Sequence, residues 1–94
     1  MFGVIIEVSI EPNREEEART MVNNMVVPRA QSHAGIVAGY WLRELSGDIL
    51  RAIQLFDTEK NAKETADRIR LEGPPAGAPV RLVSVKTYEV IAQI

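Results

Sequence analysis

The chain contains no cysteine. That excludes disulfides, thiolate nucleophiles and cysteine-held metal sites. It contains one histidine, His33. A metal centre needs several converging ligands, so no metal site is expected. Gly73 and Gly77 lie among prolines and open no helix, so no phosphate loop is indicated and no cofactor is expected. Neither sign of charge dominates: 11 basic against 13 acidic residues leave a net charge of −2. Without the basic face that phosphate neutralisation demands, nucleic acid is not an expected partner. No apolar run approaches the roughly 20 residues of a membrane helix. The N-terminus enters a strand pattern directly, without a basic segment or cleavage site. No membrane contact and a cytoplasmic location are the expectations. Aromatics are sparse at 5%, with Trp41 the one tryptophan.

What remains is an ordinary globular composition, 46% apolar and 26% charged over 94 residues. That length makes one domain, 1–94, burying roughly 60–65% of its extended surface. Phe2 to Ile10 alternates with strand periodicity: Phe2, Val4, Ile6, Val8 and Ile10 share one face. Pro12 stops it. Asn13 with Glu16 has capping-box spacing, and Glu15, Glu16 and Glu17 suit the first helical turn. Ala18, Met21, Val22, Met25, Val26 and Ala30 then form an apolar helical stripe. Pro28 lies inside that stripe and should kink or loosen the last turn. Gly35 ends the element.

The stretch Gly35–Thr58 reads as a β-hairpin. A two-residue turn at Gly47-Asp48 sets Glu44 opposite Arg51, Leu42 opposite Ile53 and Tyr40 opposite Leu55. A turn one residue longer would juxtapose Arg43 and Arg51, a like-charge pair. The first register places Ala38, Tyr40, Leu42, Ile53 and Leu55 on one face. Gly39, Trp41, Arg43, Ala52, Gln54 and Phe56 go on the other. Asp57 or Thr58 caps a second helix running to about Leu71, with a stripe at Ala62, Thr65, Ala66 and Ile69. Glu72 to Pro79 is a surface loop. Val80 to Ile94 reads as a long last strand.

The order β-α-β-β-α-β specifies an α+β fold of ferredoxin-like type: a split sandwich with a four-stranded antiparallel sheet and both helices on one face. Right-handed crossovers give the strand order 4-1-3-2. The expectation is that Tyr40 and Leu42 pack under the helices. Trp41, Phe56, Leu45, Leu50 and Ile5 then lie on the uncovered face, which is too apolar to leave in water. A second copy of the chain is the simplest cover, so a homodimer is expected.

The strand VIIEVSIEPN leading into an acidic helix start, the segment PRAQSHAGIVAGYWLR and the segment AIQLFDTEKNA together resemble the dimeric α+β barrel superfamily, near its antibiotic biosynthesis monooxygenase-like branch. The resemblance covers nearly the whole chain. It implies two sheets packed face to face and a small cavity in each protomer. Some such proteins degrade heme, and others are cofactor-free, quinone-forming monooxygenases. The heme-degrading kind carries a Trp at the end of the third strand, where Phe56 stands here. It also carries a His on or after the second helix, and none follows residue 33. Its first-strand Asn is absent from Phe2–Ile10. These departures argue against heme breakdown.

Six residues are candidates for binding a ligand. Trp41 reads either as a stacking wall for a flat molecule or as a dimer-interface anchor, where tryptophan is enriched. Phe56 and Gln54 flank it, and Gln54 would orient a carbonyl or pair with a polar neighbour. Arg43 would grip a carboxylate or phenolate, or form an intersubunit salt bridge. Glu7, the one acid inside the first strand, needs a partner, and Lys86 on the last strand is the expected one. Left unpaired in a dry pocket, Glu7 would be a general base. His33 would interact with the helix C-terminal carbonyls or relay a proton at a pocket mouth. Two functional classes follow. One is a cofactor-independent oxygenase acting on a small aromatic or polyketide-like substrate. The other is a non-catalytic homodimeric ligand-binding or assembly module.

Overall fold

A computed structural model describes residues 1–94. Its elements run β1 (Phe2–Ile10), α1 (Glu15–Met21), a π-helical segment (Val22–Val26), α2 (Val27–Gln31), β2 (Ile36–Arg43), β3 (Ile49–Phe56), α3 (Glu59–Glu72) and β4 (Val80–Glu89). The four strands form one antiparallel sheet in the order β2-β3-β1-β4, the expected topology. The helices cover one face. No helix is long and apolar enough to cross a membrane.

The alternation in β1 sends Phe2, Val4, Ile6, Val8 and Ile10 toward the helices. Val4, Phe56, Ala62, Ala66 and Val85 make the larger core cluster, and Ile10, Ala18 and Val80 a smaller one. The side chains of α3 that meet the sheet are small, which draws this helix close to it. The Thr58 hydroxyl caps α3, accepting from the Asn61 N–H at 3.1 Å. Asp57 accepts from the Asn61 side chain at 2.9 Å. Gly35, at φ +76°, packs against those same two side chains, and a Cβ there would collide with both. This contact joins the end of the first helical connection to the start of the second.

The first connection is built differently. The Val27 N–H reaches back to Val22 O, five residues away, so the helix widens into a π turn. It then restarts with Pro28 in the first turn of α2, where a missing N–H matters least. Pro28 therefore expresses itself as a π segment ahead of it rather than as a frayed end. The expected capping box at Asn13 does not form. Asn13 adopts φ +64° in a turn closed by Arg14 N–H to Glu11 O at 3.1 Å, and Arg14 precedes the helix without capping it. Arg14 has another task. Its guanidinium binds Glu17 at 2.8 Å and Glu11 at 3.0 Å. It also donates to the carbonyls of Gly77 at 2.9 Å and Ala78 at 3.3 Å. The loop after α3 is thereby tied to the start of α1. The same contact holds the Glu17 carboxyl below its ordinary range and the guanidinium above its own.

The hairpin register differs from expectation by two residues. Tyr40 pairs with Ile53, Leu42 with Arg51 and Trp41 with Ala52. The loop spans Leu45–Asp48, closed by Glu44 N–H to Ile49 O at 3.0 Å. The Asp48 carbonyl is held by the Ile10 N–H at 2.7 Å, which ties the turn to β1 and favours the longer loop. A two-residue slip preserves which side chains share a face. The assignment of that face is nevertheless reversed. Phe2 pairs with Phe56 and Val4 with Gln54, so Trp41, Gln54, Phe56 and Leu50 lie under the helices. Tyr40 and Leu42 stand on the open face, about half exposed. The last strand is also shorter than expected. It stops at Glu89, and Ile91 and Ile94 are exposed beyond it.

Candidate functional site

Because α3 sits low on small residues while the π-interrupted segment presents Met21, Val22, Met25 and Val26, the space between the two is not filled. A cavity of about 510 Å³ lies there, floored by Ile6, Val8, Ala52 and Gln54 of the sheet. Trp41 and Leu50 form one wall. The far rim is made by the C-terminal ends of the helices, with Arg29, Ser32 and His33 on one side and Arg68 and Glu72 on the other. Gly73, Pro74 and Pro75 of the Arg14-tethered loop complete it.

Two buried polar atoms have no hydrogen-bond partner anywhere in the protein, and both belong to residues lining this cavity: Trp41 Nε1 and Gln54 Oε1. Gln54 is 2% exposed. An unmet polar atom in an apolar interior costs about 1–3 kcal/mol, so either side chain gains if a small rotation brings that atom to a partner in the cavity. Trp41 carries a donor and Gln54 an amide, on diagonal positions of the same sheet face. The Trp41 ring lies against Gly39. A Cβ at Gly39 would stand 2.9 Å from Cη2 and 3.0 Å from Cζ3. Behind the ring is a second cavity of about 410 Å³, whose lining includes Arg19, Asn23, Tyr40 and Arg43. Trp41 borders both.

His33 sits on the rim with its pKa lowered below 6.5, first by burial and then by the positive charges of Arg68 and Arg29; Glu72 opposes them weakly. The imidazole is therefore held toward its neutral form. No side-chain hydrogen bond ties it to the helix carbonyls; only its backbone N–H closes on Ala30 O, at 3.1 Å.

The structure brings Trp41, Gln54 and His33 together around one cavity. Arg43 points to the second cavity and pairs with Glu15 of α1 at 3.3 Å. Phe56 is fully buried in the core and reaches neither cavity. Glu7 lies on the open face. Its partner is Arg51 at 2.8 Å rather than Lys86, because Lys86 stands opposite Ile5 and Arg51 opposite Glu7. Arg51 also holds Glu44 at 3.3 Å, so the hairpin's expected charge pair survives the shift of register. The sequence reading missed Arg29 and Arg68. Each lies in the last turns of its helix on the flank of the apolar stripe, a place that ordinarily signals only a solvated cation.

No family model and no curated relative matches the sequence. Solved structures do match. The heme degrader MhuD from Mycobacterium tuberculosis, with two hemes bound in its active site, superposes at a TM-score of 0.78 with 12% identity, covering 100% of this chain and 99% of that one. The monooxygenase ActVA-Orf6 of Streptomyces coelicolor, in complex with nanaomycin D, gives 0.62 with 10% identity over 99% and 89%. A Chloroflexus aurantiacus protein described as a putative antibiotic biosynthesis monooxygenase gives 0.64 with 15% identity over 99% and 95%. The chain shares the βαββαβ fold of these structures, a four-stranded antiparallel sheet with its helices on one face.

Proposed function

We propose that the protein binds a flat aromatic, polyketide-like molecule in the larger cavity and oxidises it without metal or flavin. The observation that carries this reading is an apolar cavity of about 510 Å³ lined by Trp41 and Gln54, the two residues whose buried polar atoms, Nε1 and Oε1, have no partner in the protein. Sites of about 300–1,000 Å³ with few convergent polar groups suit small ligands. Trp41 N–H donates to a phenolic oxygen and favours its ionised form, while the Gln54 amide orients the neighbouring oxygen. His33, held toward neutrality, accepts the released proton at the rim. The ionised ring carbon reduces O₂. The ring C–H and phenol O–H are lost, one oxygen atom becomes the new carbonyl and the other leaves as water. The substrate supplies all four electrons, so no external reductant is consumed. The apolar lining lowers the local dielectric and strengthens each of these interactions.

Heme is the ligand of one structural neighbour. The cavity offers one imidazole, on its rim, and the third strand ends in a core-buried Phe56. That set does not fit the heme-degrading pattern, and no step is assigned to heme.

The open face carries Ile5, Ile53, Leu55, Tyr40 and Leu42 around the Glu7–Arg51 pair. We assign a second copy of the chain to this face, making a homodimer. The alternative is a binding module of the same geometry without turnover, favoured by the absence of a second imidazole. Oxygen uptake with hydroxylated naphthalenes and anthracenes decides between them. Quinone formation matched by one O₂ per substrate supports the oxygenase. Quenching of Trp41 fluorescence without O₂ uptake supports the binding module. A stable monomer by sedimentation at micromolar concentration would remove the dimer.

A further inference from the structure

Four of the eight arginines are engaged: Arg14, Arg43, Arg51 and Arg70 each hold a carboxylate within 4 Å. Arg29 and Arg68 hold none, yet they come from different helices to one rim of the larger cavity. The positive charges of both bear on His33, on the same rim. Two like charges converging on an apolar mouth repel one another and gain nothing from the protein. Glu72 shares the rim and forms an ion pair with neither. With His33 neutral, the rim carries a net charge of about +1 from Arg29, Arg68 and Glu72. The floor opposite is formed by Ile6, Val8, Ala52 and Gln54, with Trp41 as a wall.

We infer that the cavity is built for an anionic aromatic ligand. Its ring system lies on the apolar floor beside Trp41, and a carboxylate at one end is gripped between Arg29 and Arg68 at the rim. This deepens the functional reading above by naming the ligand's charge and where it sits. A guanidinium meets a carboxylate through two parallel N–H···O bonds, and charge-assisted bonds are roughly twice as strong as neutral ones. Arg29 and Arg68 reach the rim from opposite helices, so a carboxylate there would also tie the two helical connections together across the mouth.

The probes are anthraquinone-2-carboxylate and its neutral carboxamide, read by quenching of Trp41, the sole tryptophan. The carboxylate is expected to bind about tenfold more tightly than the carboxamide, and the margin to shrink as salt rises. The Arg29→Gln/Arg68→Gln double variant should lose that preference and keep its carboxamide affinity. A Lys60→Gln/Arg81→Gln variant, with the same change in net charge, should keep the preference. Equal affinity for the two probes overturns the inference and leaves the aromatic-cavity reading standing. So does a preference that survives the double substitution. Quenching by neither probe overturns both. Should the double variant fold poorly, by circular dichroism, the single variants and the salt series on the unmodified chain decide the matter.

Discussion

The two helical connections cross the same face of the same sheet, and they use it in opposite ways. α3 meets the strands through Ala62, Thr65 and Ala66, each nearly fully buried, and packs against Phe56, Val4 and Val85, reaching the cavity only with its last turns. The segment α1–π–α2 buries Ala18 and Ala30 at its two ends, but between them it presents Met21, Val22, Met25 and Val26 and leaves Met25 half exposed over a cavity. The π turn adds width in the segment that must stand off. One half of the molecule is committed to stability and the other to holding an interior open, though both are β-α-β units of nearly the same length.

The sharpest way to break this contrast is to remove one large side chain from each half. Phe56→Ala, in the closed half, should cost about 3–5 kcal/mol in urea unfolding. Trp41→Ala, beside existing space, should cost clearly less, and it should merge the two cavities. Equal losses would show the halves to be packed alike. Next, the same enlargement can be placed on each side. Ala66→Leu overfills the closed half and should cost about 1–3 kcal/mol. Ala30→Leu, whose new atoms enter the cavity, should be near neutral in stability and should weaken binding of any aromatic probe.

Pro28→Ala restores a backbone donor in a first turn, where its loss costs little, so the gain in stability should stay well under about 1 kcal/mol. The gain should come with a narrower cavity, visible as weaker probe binding. A gain without loss of binding would separate the π turn from the cavity. The smallest effect is expected from His33. Its folded pKa lies below 6.5, so the unfolded chain binds the extra proton first. Stability should therefore fall as pH drops from about 6.5 through the folded value. His33→Gln should flatten that window and leave the acid loss below about 4.5, where the Glu17 carboxyl titrates, untouched.

Much of this was legible in the sequence. The alternation of β1, the Thr58 cap and the hairpin all stood out, and together they specify the topology. Parity along the hairpin correctly grouped Trp41 with Gln54. Parity is silent on which group faces the helices, because both faces of β2 and β3 are apolar. The deciding contact is long-range, Phe2 against Phe56. Once Phe56 joins the uniformly apolar face of β1, Trp41 turns from interface residue to cavity wall. The Glu7 pairing failed for a related reason: Lys86 is near in the sheet, but the register sets Arg51 across from Glu7. The cavity itself had no local signal, since it is the difference between two helix heights. Arg29 and Arg68 acquire meaning only when both helices end at one rim.

The ring of Trp41 rests on the one position in its strand that has no side chain. Everything that separates the two chambers is thus held from behind by an absence. A residue facing the larger chamber can trim its volume only by its own size. A single methyl at Gly39 would instead shift a whole indole, enlarging one chamber at the expense of the other. Ligand size in this scaffold therefore has a lever of disproportionate length, placed where no ligand in the larger chamber touches it.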